Sequence, residues 1–161
     1  TQTKGKAYAQ MIDAAEKQGT QIVSAAQNMT FTLGRARVTF IGPARTQHTD
    51  SRDDGLTLRI DYGQTSVVVT GCITSNGEKE IVSSGAVSAC DALIVSRGGT
   101  EAATCAEWVE AAKPGVAFVT GKNPANSVRI RLQKYGATVY AAKENGVMTL
   151  FSDGQEITVE P

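Results

Sequence analysis

Four kinds of side chain in this sequence have types and spacings that could do chemistry: His48, Cys72, an aspartate trio (Asp50, Asp53 and Asp54), and Arg97 followed by Gly98 and Gly99. A Cys72 thiolate with the His48 imidazole could hold a soft cation such as Zn²⁺, although the sequence supplies no evident third ligand. The three aspartates could meet a hard cation. Their spacing lacks the glycine and terminal glutamate of a calcium loop, so they read as a solvated acidic loop. Arg97-Gly98-Gly99 closes an apolar strand and could turn backbone N–H groups toward an anion; the competing reading is a plain turn. The cysteines Cys72, Cys90 and Cys105 are three, an odd number, at long spacings and without C-x-x-C. That argues against a disulfide framework and a zinc ribbon. All three read as small buried hydrophobes.

Other polar groups read as structural. Asp61 lies at a strand end. Arg129, Arg131 and Lys134 spread around a helix as a wet face. Trp108, at helical spacing with Ala111 and Ala112, reads as core.

Composition narrows the classes. The chain has 161 residues, 41% hydrophobic and 20% charged, with 16 basic and 16 acidic side chains. Zero formal charge disfavours a general nucleic-acid binder, and no apolar run approaches membrane-spanning length. One histidine cannot by itself build a histidine-rich metal centre. The first residue is Thr1, and neither a signal nor a transit peptide is legible. The chain is therefore expected to be a mature or excised piece that lacks upstream sequence, with residues 1–161 as one domain.

The elements that must position these residues follow from periodicity. Lys6–Lys17 sets Ala7, Met11, Ala14 and Ala15 on one helical face and stops at Gly19. Strands are expected at 20–25, 29–33 and 38–41, with a turn at Gly34. The stretch 43–55 is polar and strandless, and contains His48 and the aspartates; loops of that length are often functional. Residues 56–60 and 66–70 form a hairpin around Gly63-Gln64, the second strand apolar enough to be central. Helix–strand alternation follows: helix 77–84, strand 92–95, helix 105–113 closed by Pro114, strand 116–119, helix 127–135 capped by Gly136. Strands 138–140, 147–151 and 156–159 close the chain, with hairpin turns expected at Glu144-Asn-Gly146 and Ser152-Asp-Gly154. The result is an α/β (α+β) chain with a mixed sheet and outer helices.

Several runs carry a resemblance in the right order. Asp54-Gly-Leu-Thr-Leu-Arg-Ile-Asp-Tyr-Gly-Gln-Thr-Ser-Val-Val-Val-Thr-Gly-Cys-Ile73 resembles the N-S-L-V-L…Y-G…T-G-D-I segment of the metallo-β-lactamase superfamily, in the branch of ComEC-type competence protein hydrolase domains. Asp91–Thr100 sits where that family has a strand followed by H-H-G-S. Trp108–Gly121, Leu132–Tyr140, Glu144–Leu150 and the helix Tyr8–Gly19 are similar to later and middle segments. The resemblance spans nearly the whole chain but only about the last two thirds of the family domain, without its H-x-H-x-D-H segment. It implies a partial αββα sandwich.

It also implies what has changed. Family members use one or two metal ions, held by imidazoles and carboxylates, to generate hydroxide. In this chain the T-G-D carboxylate falls on Cys72, the H-H pair falls on Arg97 and Gly98, and Gly121-Lys-Asn-Pro-Ala-Asn126 has no counterpart of a later histidine. Arginine offers a metal no lone pair. The expectation is a degenerate, non-catalytic binding or structural module. The alternatives are the C-terminal portion of a metal-dependent hydrolase of phosphodiesters or nucleic acid, with zinc at Cys72 and His48, and an accessory module in DNA uptake. Expected partners are the missing N-terminal segment, another chain or a second copy at an open sheet edge, and no membrane. Compartment is left undecided by the residues; family analogy points to an extracytoplasmic one.

Overall fold

The structure is a computed structural model that describes residues 5–121 and 123–160. Seven strands run in sequence order across one sheet: β1 Thr30–Leu33, β2 Ala36–Gly42, β3 Thr57–Tyr62, β4 Thr65–Val69, β5 Ala92–Ile94, β6 Val116–Val119 and β7 Thr138–Ala141. The first four pair antiparallel, and β4 to β7 pair parallel. Turns at 34–35 and 63–64 join β1 to β2 and β3 to β4, and the 43–56 loop joins β2 to β3; after β4 each parallel neighbour needs a crossover, here supplied by helices. Those helices are α2 Ser75–Ser83, α3 Ala106–Ala112 and α4 Asn126–Lys134.

The core lies between these helices and one face of the sheet. Val68, Leu93 and Ala117 stand side by side in the register and are fully buried with Trp108, Val109 and Leu132. Burying side chains of this size stabilises by roughly 1.5–3 kcal/mol each. Strand alternation sends Val69, Ile94, Phe118 and Tyr140 to the other face, where the Phe118 and Tyr140 rings stack at 5.5 Å. That face is partly covered by an antiparallel ribbon, β8 Thr149–Ser152 and β9 Ile157–Glu160. The chain thus has a mixed α/β architecture with outer helices, as expected, and the facing layer is a two-stranded ribbon.

Two turns fasten that ribbon. Gln64 N–H donates to the Gly154 carbonyl at 2.6 Å, and Thr65 Oγ1 lies 2.6 Å from Ser152 Oγ. Gly63 has φ +60°, and a Cβ there would come within 2.8 Å of Gly154 Cα. Both the left-handed backbone and the close approach require glycine. Gly63→Ala is expected to lower stability by about 1–3 kcal/mol and to weaken amide protection in β8 and β9 by hydrogen exchange. Unchanged protection would refute this role.

Three expectations are corrected. Residues 20–25 form no strand; Ile22 and Val23 are exposed, because among the described residues no neighbouring strand takes their backbone groups. Helix α1, Lys6–Lys17, forms as expected, but none of its residues is buried. Its apolar side meets no core, and its stability comes from local bonds and a C-terminal motif in which Thr20 N–H donates to the Ala15 carbonyl at 2.9 Å around Gly19. Glu144-Asn-Gly146 makes no hairpin turn: Ala142–Asn145 is a one-turn helix, α5, ended by Gly146 with φ +76°. β7 pairs with β6 and has no hairpin partner to turn back.

Candidate functional site

The C-terminal ends of the parallel strands bring the chemically notable turns together, as in open α/β sheets where ligands sit beyond those ends. After β4 come Gly71 and Cys72; after β5, Ser96, Arg97 and Gly98; after β6, Gly121. Arg97 N–H donates to the Gly71 carbonyl at 3.2 Å, and Ser96 Oγ donates to the Ile73 carbonyl at 2.6 Å. Gly98 and Gly121 are neighbours: a Cβ on Gly98 would meet Gly121 Cα at 3.6 Å, an ordinary van der Waals contact. The Gly99 carbonyl accepts from Ala125 N–H at 2.8 Å, tying this turn to the start of α4. Arg97, Gly98 and Gly99 all have positive φ, at 50°, 62° and 74°. For arginine that conformation costs about 1–2 kcal/mol.

Cys72 is exposed at this edge, which corrects the reading of all three cysteines as buried. Cys90 and Cys105 are buried, and burial pushes both thiols up to about 12, so they pack as small hydrophobes.

The loop 43–55 lies beside this edge, and its aspartates are not simply solvated. Asp50 caps the 3-10 turn Ser51–Asp54 by accepting from Arg52 N–H at 3.0 Å. Its ion pair with the Arg52 guanidinium holds the carboxyl down at about 2, and Arg97 contributes from farther off. Asp53 is 4% exposed; its two oxygens accept from Thr74 N–H at 2.7 Å and Thr74 Oγ1 at 2.9 Å, at the start of α2. Asp54 is nearly buried and faces His48. The solvated acidic loop is therefore corrected: Asp50 and Asp53 cap local helix starts, and Asp54 pairs with His48. A short polar segment folded against a helix must satisfy that helix's orphan N–H groups, and aspartate does so well.

His48 is enclosed between two carboxylates. Nδ1 is 2.9 Å from Asp54 Oδ1, and Nε2 is 2.7 Å from Glu80 Oε2; the His48 side chain is 3% exposed. Arg45 grips Glu80 from outside through two bonds of 2.8 and 2.9 Å. Burial pulls the imidazole down, but the two carboxylates outweigh it and the net shift is upward. Glu80 is held below its usual range, chiefly by Arg45. Asp61 pairs with Arg59 at 2.8 Å. Of the three cations on α4, Arg129 pairs with Glu144 at 2.5 Å, and Arg131 bonds the Thr104 carbonyl.

Sequence reasoning missed Glu78 and Glu80. Glu80 was detectable only as a carboxylate on the helix that follows the polar loop. Glu78 gave no signal at all.

A zinc centre requires three or four donors converging on one point. Here both His48 nitrogens already face carboxylates, Cys72 is on a different turn, and Arg97 adds a fixed cation to the strand-end edge. Among the described residues no group of three or more His, Cys, Asp or Glu is placed to hold a metal ion. The donor set does not fit that centre.

No family model matches this sequence, and no curated protein matches it. Among solved structures, the chain is similar in fold to a CmlA β-hydroxylase E377D mutant, with a TM-score of 0.50 and 14% identity over 76% of this chain and 32% of that one. A match to YhfI from Bacillus subtilis, a metallo-β-lactamase fold protein, has a TM-score of 0.47 and 16% identity, covering 80% of this chain and 58% of that one. The chain spans about a third and somewhat over half of those two proteins. The likeness is one of fold alone.

Proposed function

We propose that this chain is the C-terminal part of a metallo-β-lactamase-like domain, of the ComEC-type branch, that acts as a non-catalytic binding or structural module. The observation that carries the reading is Arg97. At the strand-end edge where the resemblance expects a histidine pair, the chain places a guanidinium and a glycine. A permanent cation there repels a metal ion while keeping the site attractive to anions. The inherited turn at Gly71 persists with Cys72 in the carboxylate's place. Both replacements keep the frame and change the chemistry.

The test is direct. Purified protein given zinc and dialysed is expected to retain well under one equivalent by elemental analysis, and to leave bis(p-nitrophenyl) phosphate intact. About one retained equivalent, together with phosphodiester cleavage lost on Cys72→Ala, would replace this reading with the hydrolase alternative. Salt-sensitive retention on DNA would instead favour the DNA-uptake accessory.

A further inference from the structure

We propose that the open β1 edge of the sheet is a homodimer interface, where β1 pairs antiparallel with β1 of a second copy across a two-fold axis at Phe31. This goes beyond the proposed function and holds whether or not a metal binds.

The exposed area calls for a partner. The chain exposes 9470 Å², whereas a compact monomer of its mass, 16.9 kDa, exposes about 7,700 Å². The surplus of about 1,800 Å² exceeds the ~800 Å² that each partner buries in a stable interface. Its apolar part is concentrated toward one end of the chain. Among the described residues, seven of the eleven exposed large hydrophobics lie between residues 8 and 33, in α1, β1 and the arm between them.

The two edges of the sheet are unlike. β7 is partly buried and runs straight into α5, and its Ala141 N–H donates to Asn145 Oδ1 at 3.0 Å. β1 pairs with β2 alone and is exposed at all four positions, with Phe31 46% and Leu33 69% exposed. It carries no charge and no proline, and its ladder has no bulge; those are the usual guards of a bare edge.

The free backbone groups follow from the ladder. The Met29 carbonyl accepts from Phe40 N–H at 2.9 Å. Alternation then turns Phe31 and Leu33 toward β2 and points the N–H and C=O of Thr30 and Thr32 outward. A second copy rotated by half a turn answers all of them. Thr30 pairs with Thr32 of the partner subunit, and Thr32 with the partner subunit's Thr30. Phe31 faces its own copy at the closer, non-hydrogen-bonded position between them. Threonine pairs and aromatic pairs are both favourable across strands. The Phe31 ring already lies 5.8 Å from that of Phe40, so a second Phe31 extends an existing row. No like charges meet on β1, and zero net charge sets up no repulsion between copies. Each arm runs directly into β1, so the pairing draws the two arms, with their exposed Ile22 and Val23, toward one joint.

Sedimentation equilibrium of the full chain from about 1 to 200 µM tests the proposal. A dimer of twice 16.9 kDa is expected, with a dissociation constant of about 10 µM or tighter. Thr32→Pro removes an outward N–H that β2 does not use, a change an edge strand tolerates. It should weaken association at least about tenfold while amide protection in β2, β3 and β4 persists. Phe31→Lys and Phe31→Glu each set like charges face to face on the axis and should be monomeric; mixing the two should restore a one-to-one dimer. That rescue separates a contact at Phe31 from a folding defect. A parent that stays monomeric throughout overturns the proposal. So does a dimer indifferent to all three substitutions, or a pair of Phe31 variants that fail to associate when mixed. A monomer whose Thr30 and Thr32 amides resist hydrogen exchange would assign the edge to the chain's own arm and end the proposal too. Zinc retained at Cys72 would sink the non-catalytic reading and leave these masses unchanged.

Discussion

Glu78→Ala is expected to lower the free energy of unfolding by about 3–5 kcal/mol. Glu78 projects from α2 and is fully buried. Its two oxygens accept from Thr104 N–H at 2.6 Å and Cys105 N–H at 2.8 Å. Those amides open α3, whose N-cap residue, Cys105, provides no side-chain cap of its own. A carboxylate on one helix therefore caps the next and fixes how Trp108, Val109 and Ala112 enter the core. Thr104 needs this support, because it sits at φ +57°, with its carbonyl held by Arg131. Burial pushes the Glu78 carboxyl above the usual range, and the two amides with Arg131 pull against that. Alanine would leave both amides buried without acceptors and open a void beside Ile81. Glu78→Gln keeps the volume and one acceptor, so about 1–3 kcal/mol is expected. Urea unfolding of the three proteins measures the series. A midpoint for Glu78→Ala within error of the parent would mean that water reaches these amides, and the capping account would fail.

Glu78 also marks the limit of what this sequence discloses. Periodicity placed a helix from Gly77 to Ser84, and α2 runs Ser75–Ser83. A glutamate inside such a helix reads as one more solvent-facing residue, since its partners are 26 and 27 residues further on. Likewise, Asp53 looked solvated because its acceptor role depends on α2 folding over the loop, and Asp54 because its partner is His48, six residues earlier in the same loop. What was legible is local or repetitive. The apolar run at β4 announced a central strand, and it occupies the middle of the seven. Helix–strand alternation after it announced the parallel half. Failures cluster where a segment lacks a neighbour: residues 20–25 have strand composition without a strand to pair with, and α1 has an apolar stripe without a core. The turn Arg97-Gly98-Gly99 was visible as a candidate anion contact from two glycines after a buried strand. Its neighbours, Gly121 and the α4 terminus, required the parallel register of β5 and β6 to come into view.

The second large effect is a loss of stability as the solution is made alkaline, traced to His48. A neutral imidazole has one N–H and one lone pair, so it cannot donate to carboxylates on both sides. With Asp54 at one nitrogen and Glu80 at the other, the doubly protonated ring fits, and Arg45 shares Glu80 with it. The folded-state pKa is therefore raised above the ordinary value of about 6.5. In the window between those two values the native state binds more protons than the unfolded chain, so stability falls as pH rises. The contribution is full below the ordinary value and gone once pH passes through the raised one. The clamp joins the 43–55 loop to α2, and charge-assisted bonds of this kind are worth about 1–3 kcal/mol. His48→Asn is expected to unfold more easily by that amount at pH 6 and by much less at pH 9, flattening the parent's pH profile. Cys90 and Cys105, titrating at about 12, do not contribute in this range. Because this is the only histidine in the chain, its imidazole proton resonance reports the titration without ambiguity. A midpoint at or below about 6.5 would show that burial prevails over the two carboxylates, and the alkaline loss would then have to arise elsewhere.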